Sequence, residues 1–247
     1  MEELKPTHIV FTSAGFMEIE FLARFAYPPT IAPASSELEI KAWHVMRAFQ
    51  MLNEELSNKP YIEKILSEHI TDLTKAINGY PEKGPFLVWI RNYRISFATE
   101  ALFFEIKAFL DFFATNVIAK ALKMHSIPGT FKSKGSGADR DPGRRFLDAL
   151  GRNVSNEYKE KAAAIAAIIE RHKPLWIDSV IKDRDKATHG ETLQTKITMN
   201  SGLLQAPLTD FTFQTLFEAT DMIELSASLA KQFVQFLDEI LKEIIKK

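Results

Sequence analysis

The chain has 247 residues, with 31 Lys+Arg against 32 Asp+Glu and no cysteine. That length suits one or two domains, and 46% apolar residues are enough to fill a core. Without a thiol, disulfide frameworks, cysteine–metal sites and cysteine nucleophiles are excluded, and a net charge of −1 argues against a strongly basic nucleic-acid coat.

Residues 1–33 carry weak signals. The stretch 8–11 reads as a short strand, 17–25 alternates imperfectly, and Pro28, Pro29 and Pro33 forbid a regular helix. From Ser36 the pattern clears. Ser36 with Glu39 forms a capping box, and Ile40, Trp43, Val45, Met46, Phe49 and Leu52 follow at roughly helical spacing. Pro60 opens a second helix through Ile62, Ile65, Leu66, Ile70, Leu73 and Ala76, which should stop at Asn78-Gly79.

A long helix is expected over 86–124, with phenylalanines at 97, 103, 104, 109, 112 and 113 covering more than one face. A helix apolar around most of its circumference belongs at the centre of a bundle. The same region carries Arg91, Arg94, Glu100, Glu105, Lys107 and Asp111, so it does not offer the roughly 20 predominantly apolar residues of a membrane span. The start, MEELKPTH, lacks a basic-then-apolar signal layout. A soluble cytoplasmic protein with no membrane partner is the expectation.

Residues 126–145, rich in Gly, Pro, Ser and charge, form the clearest loop, followed by a short helix over 143–151. Ser155 or Asn156 then caps a helix running to about His172 through AAAIAAII. Pro174 starts another helix, holding Trp176, Ile177, Val180 and Ile181 and ending near Gly190. Residues 192–208 alternate around Asn200-Ser201-Gly202, as in a small hairpin or an extended loop. The last helix, 210–246, is amphipathic through Phe213, Leu216, Phe217, Ile223, Leu229, Phe233, Leu237, Ile240 and Ile244. The fold class expected is all-α, a helical bundle with one hairpin or loop insertion.

Several chemistries have no motif here. The residue three before each of the six histidines is Lys, Leu or Ile, so the Glu-x-x-His pairs of di-iron bundles are missing. There is no HExxH, no G-x4-G-K-[ST] and no G-x-G-x-x-G. Ser136, in KSKGSGAD, has glycines directly beside it and not at nucleophile-elbow spacing.

What remains is the segment WIDSVIKDRDKATHGE. Arg184 and His189 are separated by four residues, Asp185 follows the arginine, and Gly190 follows the histidine. Five helical positions amount to about 140° of rotation and a rise of about 7.5 Å, so the two side chains are not stacked on one face. They converge on one phosphate if the helix ends near His189. A histidine of near-neutral pKa takes or gives the proton of a 2′-hydroxyl or a leaving oxygen. An arginine holds the phosphate and stabilises charge developing on its oxygens. Asp185 would orient either group or bond the ribose. The alternative is structural: Lys186 and His189 against a helix C-terminal dipole, with Arg184 and Asp185 on a solvated face.

This segment resembles the HEPN superfamily, whose mark is R-x4–6-H, usually with a polar residue after the arginine. Arg184, Asp185 and His189 stand in the matching places, and ATEALFFEIKAFLDFFATNVIAKAL looks like the first long helix of such domains. The resemblance covers about 85–247; it divides the chain into an N-terminal extension, 1–83, with two helices, and a HEPN-like bundle, 84–247. It implies a homodimer in which two Arg/His pairs face a common groove. It further implies metal-independent cleavage of RNA without a cofactor, as in many toxin, antiphage and RNA-processing members, while other members are not catalytic. The insertion 191–208 is a possible departure that would crowd or line the cleft.

Around this site, Lys132, Lys134, Arg140, Arg144, Arg145 and Arg152 face Asp139, Asp141 and Asp148 within 126–152, six bases against three acids. Lys132, Lys134, Arg140, Arg144 and Arg145 are candidate RNA-phosphate contacts, or else an ordinary solvated loop. Arg91, Asn92, Tyr93 and Arg94 form a polar break in the long helix, facing either a cleft or solvent. Trp43, His44 and Arg47 would line a small-molecule pocket or, the stronger reading, belong to an amphipathic core. His172, near a helix end, is expected to meet the helix dipole. A non-catalytic interaction or regulatory module with a protein partner is the rival function, and a small-ligand binder in the N-terminal half a third. Residues 1–80 carry 11 acids and 7 bases, and 81–247 carry 24 bases and 21 acids, which permits RNA binding in the second part.

Overall fold

The computed structural model describes residues 9–11, 17–19, 35–58, 64, 87–88, 93–125, 131, 141–188, 195–198, 212–215 and 222–246. These are predominantly helical, in agreement with the all-α expectation. The expected helix after Pro60 and its Asn78-Gly79 stop lie outside the described residues, apart from Lys64.

Strand β1, Ile9–Phe11, pairs antiparallel with β2, Met17–Ile19. Helix α1, Ser35–Leu56, starts one residue ahead of the proposed cap Ser36. Its core face is Leu38, Ala42, Val45, Phe49, Leu52 and Leu56. Ile40 and Trp43, counted among the core positions by spacing, are exposed, Trp43 by 63%. They sit on the far side of the helical wheel from Val45 and Phe49, where the one-in-three-or-four rhythm admits either face.

The long helix is shorter at its start than the sequence suggested. Leu87–Val88 forms strand β3, and α2 runs over Tyr93–Phe112. Of the polar run 91–94, Tyr93 and Arg94 are in the first turn of α2, and Arg91 and Asn92 lie outside the described residues; Arg94 donates to Glu55 of α1 at 2.7 Å. The rod continues through a π-helical turn, Phe113–Ile118, into a last α-turn, Ala119–Ala121. At this widened turn the Thr115 hydroxyl donates back to the carbonyl of Asp111 at 2.8 Å, a bond that takes up a carbonyl where the helical ladder shifts register.

Helix α3, Arg144–Arg152, matches the short helix expected at 143–151. A 3-10 turn, Asn156–Tyr158, leads into α4, Lys159–His172. Pro174 does not begin a separate helix. A π-turn, Lys173–Ile177, carries the chain without a break into α5, Asp178–Thr188. The wider turn passes the residue that lacks an N–H, and the ladder resumes where Asp178 N–H bonds the carbonyl of Lys173.

The end of the chain differs most from its sequence pattern. Strand β4, Thr195–Thr198, pairs with β3 on one side and with β5, Thr212–Thr215, on the other, all antiparallel. Thr198 stands opposite Thr212, and Asn200-Ser201-Gly202, around which a hairpin or extended loop was expected, lies outside the described residues. Phe213 is in β5, opposite Ile197, and the last helix, α6, begins only at Met222 and ends at Ile245. Thr-Phe-Gln-Thr is β-branched and aromatic at alternate positions, and that local preference overrides a helical rhythm read from three phenylalanine and leucine positions.

Helix α2 packs on α1 and α5, and α4 packs on α6. The middle of the molecule is aromatic. Phe109 lies edge-on to Phe233 at 5.0 Å, Phe113 to Phe236 at 6.1 Å, and Trp176 to Phe236 at 5.8 Å. Edge-to-face rings at these separations add to the burial itself. The expectation of a fully central α2 is corrected on one face: Phe97 is 65% exposed and Phe104 39% exposed, on the ridge they share at i and i+7. Among the described residues no helix is long and apolar enough to cross a membrane.

One glycine carries conformational weight. Gly143, at the N-terminus of α3, has φ +75°, and a Cβ there would stand 2.8 Å from Cδ1 of the buried Phe131 ring. Gly143→Ala is expected to cost about 2 kcal/mol, from the left-handed backbone and the displaced ring together, read as a lower urea midpoint with an unchanged slope.

Candidate functional site

Helix α5 presents the Arg184 region through its last turn. Thr188 donates its hydroxyl back to the Arg184 carbonyl, one turn earlier, at 2.9 Å. The Arg184 side chain is 29% exposed. Its Nη1 donates to Asp185 Oδ1 at 3.0 Å, and its Cζ lies 4.9 Å from the centre of the Phe104 ring on α2. The Nε atom is buried and finds no acceptor among the described residues. Arg184 and Asp185, adjacent in the chain, thus contact one another. His189, the third member, lies outside the described residues, directly after the last residue of α5.

The proposed RNA contacts divide in the same way. Lys132, Lys134 and Arg140 lie outside the described residues. Arg144 and Arg145 are exposed on the first turn of α3, and Arg144 Nε pairs with Asp148 at 2.9 Å, an i,i+4 bridge on a solvated face.

What holds the ends of that loop was not visible in the sequence. On the near side, buried Lys107 pairs with Asp111, whose Oδ1 accepts from the Phe131 backbone N–H at 3.0 Å. Phe131 then packs on Phe146, with ring centres 5.8 Å apart. On the far side, buried Lys173 donates to Asp141 at 2.7 Å, to Asp178 at 2.8 Å and to the Pro142 carbonyl. All three ammonium protons have acceptors, so no donor of this buried side chain is left unpaired.

His172 corrects the dipole expectation. No helix ends there, because the π-turn carries the rod onward, and the ring is buried. Trp176 Nε1 donates to His172 Nδ1 at 3.1 Å, which places the ring proton on Nε2, facing Glu239 Oε2 at 3.0 Å. Arg171 donates to the same carboxylate and Gln235 to its other oxygen at 3.0 Å. Burial pushes the Glu239 carboxyl up, but the hydrogen bonds from Gln235, His172 and Arg171, with the Arg171 charge, more than offset it and hold it below the ordinary carboxylate value. The i,i+4 pair His172–Trp176 was the one local signal for this cluster; Glu239 is remote in sequence.

A depressed carboxylate stabilises the fold above its unfolded pKa, and that stability is lost as pH falls through its folded value. The wild type should therefore lose stability between about pH 5 and pH 3, and Glu239→Gln should show a shallower fall over the same range. Urea midpoints across that series give the answer, and identical slopes would show that Glu239 is not the group responsible.

Trp43, His44 and Arg47 do not join the core. His44 Nδ1 lies 3.6 Å from Glu105 of α2, and Arg47 pairs with Glu54 at 3.2 Å along α1. Among the described residues no group of three or more His, Asp and Glu converges as a metal site. Comparison of the chain with family models, with curated proteins and with solved structures gave no match.

Proposed function

We propose that the chain is a HEPN-type, metal-independent endoribonuclease, acting in the cytoplasm as a homodimer with RNA in a shared groove. The observation that carries this reading is the state of Arg184. Its head is only partly exposed, one side rests on Phe104, and Asp185 occupies Nη1. A guanidinium fixed in this way is prepared to meet a phosphate with little further ordering.

The chemistry assigned to the pair is transesterification within the RNA backbone. His189 takes the proton of a 2′-hydroxyl, the 2′-oxygen attacks the adjacent phosphorus, and the 5′-oxygen leaves with a proton returned to it. The products are a 2′,3′-cyclic phosphate and a 5′-hydroxyl. Arg184 stabilises the charge that gathers on the non-bridging oxygens. Asp185 orients the arginine.

A second reading, a non-catalytic interaction module, draws on a different observation. Ile40, Trp43 and Phe97 are exposed on α1 and α2, and Arg184 is already neutralised by its neighbour. Labelled RNA incubated in EDTA with purified wild type, His189→Ala and Arg184→Ala separates the two. Cleavage by the wild type that both variants lose supports the nuclease. Equal cleavage by all three assigns the activity to a contaminant, and no cleavage by the wild type favours the module.

A further inference from the structure

The use of Arg184 against an anion depends on where its guanidinium rests, because four rotatable bonds separate that group from the helix. Two contacts bear on its position. The Asp185 carboxylate belongs to the adjacent residue of the same helix, and adjacent helical residues project about 100° apart. It neutralises Nη1 from within the same helix. The second contact comes from another helix. Phe104 comes from α2, and its ring centre lies 4.9 Å from Cζ, inside the roughly 6 Å reach of a cation over an aromatic face.

Phe104 is unusual among its neighbours. Phe103, Phe109 and Phe113 are buried in the core, whereas Phe104 keeps 39% of its surface exposed. Its contribution to core packing is correspondingly small, and the group it covers is the arginine head. The Nε atom of that head is buried, and Cζ stands 4.9 Å from the ring centre.

We infer that Phe104 is a positioning residue, which fixes the orientation of the Arg184 guanidinium and acts through it. For its kinetic consequence the inference rests on the endoribonuclease reading. The aromatic face is the operative feature. A leucine would keep the apolar contact but offers no negative surface to hold a flat cation, whereas tyrosine keeps both.

The test has a kinetic and a spectroscopic arm, both on the full chain. Phe104→Leu should lower kcat about tenfold with KM within about twofold of wild type, at an unchanged unfolding midpoint. Phe104→Tyr should restore kcat. In an Arg184→Ala background, Phe104→Leu should have no further effect, because the group it acts through is gone. A wild-type kcat for Phe104→Leu, or a full additional loss in the Arg184→Ala background, overturns the inference. If the wild type cleaves no RNA, the nuclease reading falls by itself, and the Arg184 Nε–H proton resonance decides the positioning role. Ring-current displacement of that resonance, lost in Phe104→Leu and kept in Phe104→Tyr, supports it; a resonance indifferent to Phe104 overturns it.

Discussion

Trp176→Ala is expected to lower the unfolding free energy by about 5 kcal/mol, the largest loss from a single change in this protein. Trp176 is fully buried, and its ring stands edge-on to Phe233 at 6.3 Å and to Phe236 at 5.8 Å. Truncation leaves a cavity that the π-turn around it does not easily close, a change that costs about 3–5 kcal/mol for a large aromatic. It also strips the donor from His172 Nδ1, leaving a buried acceptor unpaired at a further 1–3 kcal/mol or so. Domains of ordinary stability have about 5–15 kcal/mol in total, so the variant should be largely unfolded in mild urea. Trp176→Phe separates the two contributions. It refills most of the volume but lacks the N–H, and should cost about 2 kcal/mol. Urea unfolding followed by far-ultraviolet circular dichroism measures both, and equal losses for the two variants would show that the hydrogen bond outweighs the packing.

Arg184→Ala should reduce RNA cleavage by about 10³-fold, and His189→Ala by a similar factor. A thousandfold loss corresponds to about 4 kcal/mol of transition-state stabilisation, within the range that one well-placed charge-stabilising group supplies. Arg184→Lys is the more informative change. Lysine retains the charge but is a compact ammonium that neither lies flat on the Phe104 ring nor bonds two oxygens in parallel. It should recover no more than about a tenth of the wild-type rate. Folding should be nearly unaffected by either arginine variant, because a partly exposed pair with Asp185 contributes less than about 1 kcal/mol. Initial rates on one labelled RNA, with unfolding midpoints alongside, check both statements. Full activity in Arg184→Lys would mean that charge alone suffices and that the contact with the Phe104 ring is incidental.

The helices with clear ends were the most legible from sequence. The short helix expected over 143–151 is α3, Arg144–Arg152, within a residue at each end. Legibility failed where one pattern served two structures. Phe213 fits a helical rhythm equally well as a strand position opposite Ile197, and only the pairing with β4 decides between them. Pro174 reads as a start signal, yet a π-turn accommodates it within one continuous rod. In the candidate site, Arg184 and Asp185 were found because their spacing is local. Phe104 was not, since a phenylalanine in an apolar helix reads as core, and the arginine that covers it lies on another helix. The clusters around Lys107, Lys173 and His172 were hidden for the same reason: each is completed by a partner supplied from elsewhere in the chain.

The two buried lysines have a consequence for how this chain tolerates change. Phe131 and Asp141 are each anchored to the helical body, one through Asp111 and Lys107, the other through Lys173. The nine residues between them join points whose separation is already set by the core. Doubling the length of such a connection adds only about 0.6 kcal/mol of closure entropy. Loss of Lys107 or Lys173 would therefore release Phe131 or Asp141 from the helical body and be transmitted to α2 and α5, whereas a longer connection between the two anchors is expected to cost little stability.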